Sequence, residues 1–553
     1  MSQGLSRKEF VTSLLIAAAS GSALAGLPPL QDPQTMTLED LKAVERLAGI
    51  SFSDEERKRV LEQVRGARRG YEAIRQQPID FRTEPATVFT PLGGGSLPGS
   101  RVETRTTSAG LKKPRNAEDI AFLSLTELAH LVQTRQLSPV ELTEIYVDRL
   151  KRFGDKLLCL VTLTESLALS QARRAEQEIQ GGHYRGALHG IPFGIKDLFA
   201  TKGIPTTWGA DPYSNQVLDF DSTVVKRLGD AGAILAAKLS MGALAMGDVW
   251  FRGTTKNPWN PKQGSSGSSA GSCSATAAGL VGFAIGTETL GSIVSPSTRC
   301  RVTGLRPTYG RVSRYGGMAL SYTMDKAGPI CRRAEDTALV FGAICGSDPH
   351  DPSAVDRPFS YPSRVDFRRL KIGFLVRKDN ADDLKAMEDD PGVKIVRDLG
   401  ALVRPVWFSA MAQGLLTILN VESSSAFDEF TRTDKIHQLK NSSWPETFRS
   451  ARYVPAVEYL QAQRARTLLM HKFEEEFGDL DMFMCVGGGY TLAHTNLTGH
   501  PQIVIPWGGD ANGNSRSRSL VGRLYREDVL ITVAKAIQDR AGFWKERPDL
   551  SVL

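Results

Sequence analysis

Three short stretches of this 553-residue chain hold residue types suited to nucleophilic chemistry. In the first, Gly190-Ile-Pro-Phe-Gly-Ile-Lys196, a lysine closes an apolar run. A strand-end lysine is usually a surface cation. One behind six largely apolar residues is a candidate for burial, which lowers its pKa and leaves a neutral amine able to take a proton. The second stretch, Gly264 to Ser274, reads GSSGSSAGSCS and taken alone resembles a flexible spacer. It runs directly into ATAAGLVGFAI, a small-residue segment too apolar to neighbour a linker. Glycines there let backbones approach closely, and serines put hydroxyls beside a reacting centre. The third, Gly286 to Ser297, reads GTETLGSIVSPS. Its Thr289, Leu290, Gly291 and Ser292 offer consecutive N–H groups in a turn, an arrangement that holds an oxyanion.

These stretches need a scaffold, and the chain around them reads as alternating helices and short apolar strands. From Ala117, FLSLTELAHLVQTRQLSPVELTEIYVDRLKRF gives two amphipathic helices, the second opened by Ser138-Pro139. Strand-like runs follow at GIPFGIK, at AILAAKL from Ala233, at VGFAIG from Val281 and at MFMCV from Met482. Long helical stretches between several of them predict an α/β domain on a mostly parallel or mixed sheet. Upstream, 37–77 reads as two helices, with Thr37 and Asp40 forming an N-cap and Ser53-Asp54-Glu55-Glu56 starting the second. The bounds read as a signal peptide over 1–25, a helical hairpin over 26–84, a Gly/Pro-rich linker or arm over 85–116, and the catalytic domain over 117–553.

Composition narrows the function. With 41% hydrophobic and 23% charged residues the balance is that of a soluble globular chain. The net charge of +7 is spread over single cations or pairs such as Arg68-Arg69 and Arg332-Arg333, so no nucleic-acid partner is expected. Six isolated cysteines and eight histidines without HExxH spacing predict neither a disulfide framework nor a metal, and no cofactor is called for. Arg7-Lys8 precede an apolar run from Phe10 that ends in Ala23-Leu24-Ala25, the layout of a cleaved export signal. Ser6-Arg7-Lys8-Glu9-Phe10 is similar to a twin-arginine motif with Lys8 in place of the second arginine. The expected location is therefore periplasmic or secreted, with no membrane association after cleavage. A homodimer is left open.

The boxes together resemble the amidase signature hydrolases. GSSAGS (267–272), GTETLGSIVSPS and GIPFGIKD are similar to that family's serine-rich, nucleophile and lysine boxes. The likeness continues through GLRPTYGRVSRYGG from Gly304, DKAGPI from Asp325, NLTGHP from Asn496 and GRLYRED from Gly522, covering about 119–553. The resemblance implies a mixed-sheet core with helices on both faces. It makes Ser292 the nucleophile, Ser268 the bridging serine, Lys196 the base, and the amides of Thr289, Leu290, Gly291 and Ser292 the oxyanion hole. There are departures: Leu290 stands in place of a glycine, Val294 in place of an arginine, and Arg301 where a glycine often follows the cysteine. A Ser-His-Asp alternative has less behind it. Gly267-Ser-Ser269-Ala-Gly271 matches GxSxG but lacks a preceding apolar strand, and His189 and His500 have no acid partner recognisable in sequence.

The reading that follows is an amidohydrolase acting on a small linear amide. The alternatives are a glutamine-hydrolysing amidotransferase subunit, suggested by a faint likeness of 38–77 to that enzyme's small companion subunit, and a catalytically weak scaffold. Export and the absence of an arginine near Ser423-Ser-Ser-Ala-Phe argue against the former. The region from Asp379 to Asp479 is expected to build the substrate pocket, with Trp407, Phe408, Met411, Tyr453 and Tyr459 as candidate lining.

Overall fold

The protein is described by a computed structural model covering residues 36–77, 87, 102–106, 111–409, 413–440, 442–510 and 514–553. The signal-like segment 1–25, most of the Gly/Pro-rich arm and Met411 lie outside the described residues. No helix among the described residues is long and apolar enough to cross a membrane.

Eleven strands form one mixed sheet. In chain order they are β1 (Leu160–Leu163), β2 (Pro192–Lys196), β3 (Ile234–Leu239), β4 (Phe283–Glu288), β5 (Thr303–Arg306), β6 (Lys326–Cys331), β7 (Lys371–Leu375), β8 (Leu402–Val406), β9 (Met482–Val486), β10 (Gln502–Gly509) and β11 (Ser515–Gly522). Their order across the sheet is β8-β7-β9-β11-β10-β5-β6-β4-β2-β3-β1. The four apolar runs singled out in the sequence are β2, β3, β4 and β9. Side chains alternate between faces along each strand. Phe283 and Ile285 of β4 enter one hydrophobic cluster while Ala284 enters another. Apolar residues on both faces of a strand require cover on both, and helices supply it.

The central parallel pairs decide where chemistry can occur. β2 runs parallel to β3 and to β4, with Phe193 opposite Phe283 and Ile195 opposite Ile285. The carboxyl ends of β2 and β4 therefore emerge at the same edge, where α/β sheets collect their ligands. Lys196 is the last residue of β2, and the loop from Thr289 follows β4 directly.

The region 37–77 forms two helices, α1 (Leu38–Ala48) and α2 (Asp54–Arg75), and the N-cap read at Thr37 is a full capping box, with Asp40 accepting from the Thr37 amide in return. The hairpin is tied to itself and to the body by buried charge. Glu45 accepts from Arg57 Nη2 at 2.6 Å and from the Phe52 amide at 3.1 Å, and it also accepts from the Tyr453 hydroxyl. Glu56 meets Arg449 at 2.5 Å, and Leu41, Val60 and Val64 pack on Tyr453. Burial alone would raise the Glu45 carboxyl, but the hydrogen bonds from Arg57 and Tyr453 hold it below its ordinary value. A depressed carboxylate contributes stability that is present above its unfolded pKa and lost as pH falls through the folded one. Docking of α1 and α2 should thus loosen on acidification, seen as faster amide exchange in 38–75 at pH 4 than at pH 7 after correction for intrinsic rates. Tyr453→Phe removes one hydrogen bond to a charged acceptor and should cost about 1.5–3 kcal/mol, read by chemical denaturation.

Candidate active site

The serine-rich stretch is a piece of packed core. After a short strand, Asn260–Gly264, the chain turns through Ser265 to Ser269 into helix Ala270–Ala277, every residue of which is buried. Ser272 Oγ donates to the Ile285 carbonyl at 2.9 Å, and Ser269 Oγ donates to the Thr287 carbonyl at 3.0 Å, so hydroxyls fasten this helix to β4. Glycine is required where backbones nearly touch: a Cβ on Gly267 would stand 1.8 Å from the Gly247 carbonyl oxygen. The Gly267–Ser268 peptide is cis.

Lys196 is fully buried, and its Nζ sits among hydroxyls. It contacts Ser268 Oγ at 2.8 Å, Thr287 Oγ1 at 2.8 Å and Ser269 Oγ at 3.2 Å. Among the described residues, its hydrogen-bond partners include no carboxylate. Burial pushes its pKa down to about 7, only partly offset by the more distant charges of Asp325 and Glu288. Near neutral pH a large share of this amine therefore carries a free lone pair, and the Ser268 hydroxyl can donate into it.

Ser292 lies in the loop after β4 and remains partly exposed. Its carbonyl accepts from the Ser269 amide at 3.1 Å, which ties this loop to the residue after Ser268. Gly291 adopts φ +88, the left-handed conformation that turns the loop into helix Val294–Cys300. Among the described residues, the amides of Leu290, Gly291 and Ser292 have no acceptor. Leu290 is half-buried and keeps its amide in this set, so the side chain that replaces glycine leaves the donor in place.

The loop is held by residues that the sequence marked only as members of boxes. Glu288 Oε2 accepts the amides of Ile293 and Val294, each at 2.9 Å. Its Oε1 accepts from Arg306 at 2.6 Å and Asn496 at 2.8 Å. Burial alone would raise this carboxyl; Arg306 overcomes that and holds it down at about 2. Glu288 thus gathers β5, the NLTGHP segment and the start of the helix around the loop, with Val294 contributing only its backbone. Thr289 Oγ1 donates to Asp325 at 2.5 Å, and Asp325 accepts the Leu320 and Ser321 amides at 2.8 and 3.0 Å. Their spacing in the chain gave no sign of these contacts. Glu288→Ala would leave Arg306 buried without its counter-charge, and the expected cost is about 3–5 kcal/mol of unfolding free energy, measured by denaturant titration.

A cavity of about 430 Å³ opens beside the loop. Thr287 of β4 and Thr289 of the loop are among its lining residues, and Arg314, Met318, Leu320 and Tyr322 form much of its wall. This corrects the expected lining. Phe408 is buried in a cluster with Phe473, Phe477 and Phe483, Tyr453 serves the hairpin, and Tyr459 donates to Glu422. Trp407 is exposed and lines no part of this cavity. Arg301 stacks over Trp259 at 4.4 Å, which accommodates its bulk at the end of the helix.

The histidine alternative also meets a correction. His189 lies 3.1 Å from Glu178 and His500 lies 3.1 Å from Glu474, so both have acid partners, brought from other elements by the fold. Neither ring contacts Ser268, Ser269 or Ser292 among the described residues. Ser269, centre of the GxSxG match, is fully buried and committed to Thr287.

Comparison with known proteins agrees with this architecture. The sequence profile of the family described as Amidase matches residues 141–486. A glutamyl-tRNA(Gln) amidotransferase subunit of Methylococcus capsulatus is 34% identical over 479 residues, spanning 77% of this chain and 98% of the relative. Among solved structures, an amidase family protein from Bacillus anthracis superposes with a TM-score of 0.70 at 25% identity, covering 78% of this chain and 93% of that one. The native peptide amidase from Stenotrophomonas maltophilia gives 0.68 at 25% identity, covering 77% and 98%.

Proposed function

The chain belongs to the amidase family, and on that premise we propose that it is a serine amidohydrolase cleaving the carbon–nitrogen bond of a small linear amide. The observation that carries the reading is the buried Lys196 amine, 2.8 Å from Ser268 Oγ and, among the described residues, free of any hydrogen-bonded carboxylate, together with a loop of unpaired amides whose first residue, Thr289, lines a cavity.

In this reading Ser292 Oγ attacks the amide carbon. Its proton passes to Ser268 Oγ as the Ser268 proton moves to Lys196 Nζ. Negative charge develops on the former carbonyl oxygen and is met by the amides of Thr289, Leu290, Gly291 and Ser292, at about 3 kcal/mol per donor. The carbon–nitrogen bond then breaks as Ser268 protonates the leaving nitrogen and is itself reprotonated from Lys196. A water molecule, deprotonated along the same relay, attacks the acyl-Ser292 ester and releases the acid. The acyl group occupies the 430 Å³ cavity.

The amidotransferase relative supports a second reading, in which glutamine is the amide and its nitrogen passes to another acceptor. The export-like sequence of 7–25 favours periplasmic or secreted action and weighs against a tRNA-linked role. Amine or ammonia release from purified protein lacking 1–25, across aryl, aliphatic and amino-acid amides with glutamine included, separates the two. Turnover of simple amides without a second protein is the expected result. Turnover of glutamine alone would favour the transfer reading, and silence from well-folded protein would contradict both.

A further inference from the structure

A second chamber of about 390 Å³ borders the cavity of about 430 Å³: Met318, Ala319 and Tyr322 line both, and Thr287 and Thr289 line only the first. The two differ in character. The inner chamber carries Thr287, Thr289 and polar groups such as Arg314 and Asp325, whereas the outer is walled by the rings of Trp208, Tyr213, Phe427 and Phe430. Trp208 and Tyr213 lie 4.5 Å apart at 47°, Tyr213 stacks on Phe430 at 5.8 Å, and Trp208 meets Phe427 edge-on at 6.3 Å.

This wall is supported from behind. Phe427 stacks on Phe448 at 5.1 Å, and Phe448 stacks on Trp444 at 5.0 Å. Both belong to helix Trp444–Ser450, the helix that receives Glu56 of α2 through Arg449. The amino-terminal hairpin thus braces the outer chamber. Glu429 and Lys435, 3.5 Å apart and exposed, stand at its rim.

Resting on the amidohydrolase reading, we propose that the substrate is an extended amide. One group next to the scissile carbonyl fills the inner chamber, and an aromatic group about one residue further along the acyl part fills the outer one. A cavity of 430 Å³ lies near the low end of the range for small-molecule sites, which suits a single compact group, and an aromatic side chain is the natural filler for a box of rings. Trp208, Tyr213, Phe427 and Phe430 are on this proposal the determinants of specificity, acting through contact with the distal group.

The test is the ratio of kcat/KM for phenylalanyl-leucinamide to that for glycyl-leucinamide, with leucinamide as the short reference. A ratio is independent of the fraction of enzyme that is folded. The wild type is expected to favour the phenylalanyl compound by at least about tenfold, the scale of burying one aromatic side chain. Ala426→Phe, which fills the outer chamber, and Tyr213→Ala, which removes part of its wall, should each bring the ratio towards one; Tyr213 is half-buried, so its truncation spares the core. A wild-type ratio near one, or a tenfold ratio untouched by both variants, overturns the extended-substrate proposal. If leucinamide is still cleaved and Ser292→Ala abolishes that cleavage, the amidohydrolase reading survives. No turnover of any of the three amides contradicts both.

Discussion

Ser292→Ala is expected to reduce kcat by about four to six orders of magnitude on any amide the wild type cleaves, with little change in fold. The two serines of the neighbouring box cannot take its place. Ser268 is buried against Lys196, and Ser269 is bonded to both the carbonyl and the amide of Thr287. On the proposed mechanism Ser292 is the nucleophile of a set of groups that act together, and removing it costs nearly as much as removing the set, which fixes the size of the loss. Stability should hardly move, because the Ser292 contact that ties the loop to the serine box is made by its backbone carbonyl. Steady-state amine release and a thermal melt, run on the same preparation, check both halves.

Lys196→Met should lose activity on the same scale while unfolding no earlier than the wild type. The amine must be neutral to accept a proton, and burial sets its ionisation at about 7. Wild-type kcat/KM is therefore expected to fall about tenfold per pH unit below 7 and to level off above it. Lys196→Arg should fail to rescue activity, since a guanidinium stays charged at every working pH. The same shift has a consequence for stability. The folded pKa lies below the ordinary 10.5, so between the two values the unfolded chain binds more protons at this site and stability rises with pH. Below about 7 the full desolvation penalty is present. Methionine removes that penalty, and the slope between pH 7 and 10 that belongs to Lys196 should vanish with it. A lysine placed only for structure would show neither the acid limb nor the loss of turnover.

Much of this was legible in the chain because it depends on neighbours in sequence. Lys196 stands out because the residues before it are those of a strand buried on both faces. The Thr37 and Ser138 caps follow from local backbone needs. The serine box separates from a linker because of the apolar segment behind it. What the sequence did not reveal is held by residues far apart in it. Glu288, Arg306 and Asn496 meet only because β4, β5 and the NLTGHP segment converge, and nothing in their spacing announces an ion pair. The substrate wall was expected between Asp379 and Asp479 on aromatic content, yet aromatic residues pack cores more often than they line sites, as Phe408 does. The inner wall comes instead from 314–327, pinned by Glu422, which accepts from the Thr323 amide at 3.1 Å and Thr323 Oγ1 at 2.8 Å. The expected region does contribute to the outer chamber, through Phe427 and Phe430. For the same reason His189 and His500 showed no acid partner until the fold supplied one.

The covalent step can be observed directly. Protein lacking residues 1–25, mixed with a slowly hydrolysed amide or ester and quenched with acid, should show a mass increment equal to the acyl group, and peptide mapping should locate it on Ser292. The increment should be absent from Ser292→Ala and should fail to accumulate in Lys196→Met. Sustained turnover with no adduct at any time, or an adduct on a different residue, would contradict the serine acyl-enzyme on which the proposed function rests.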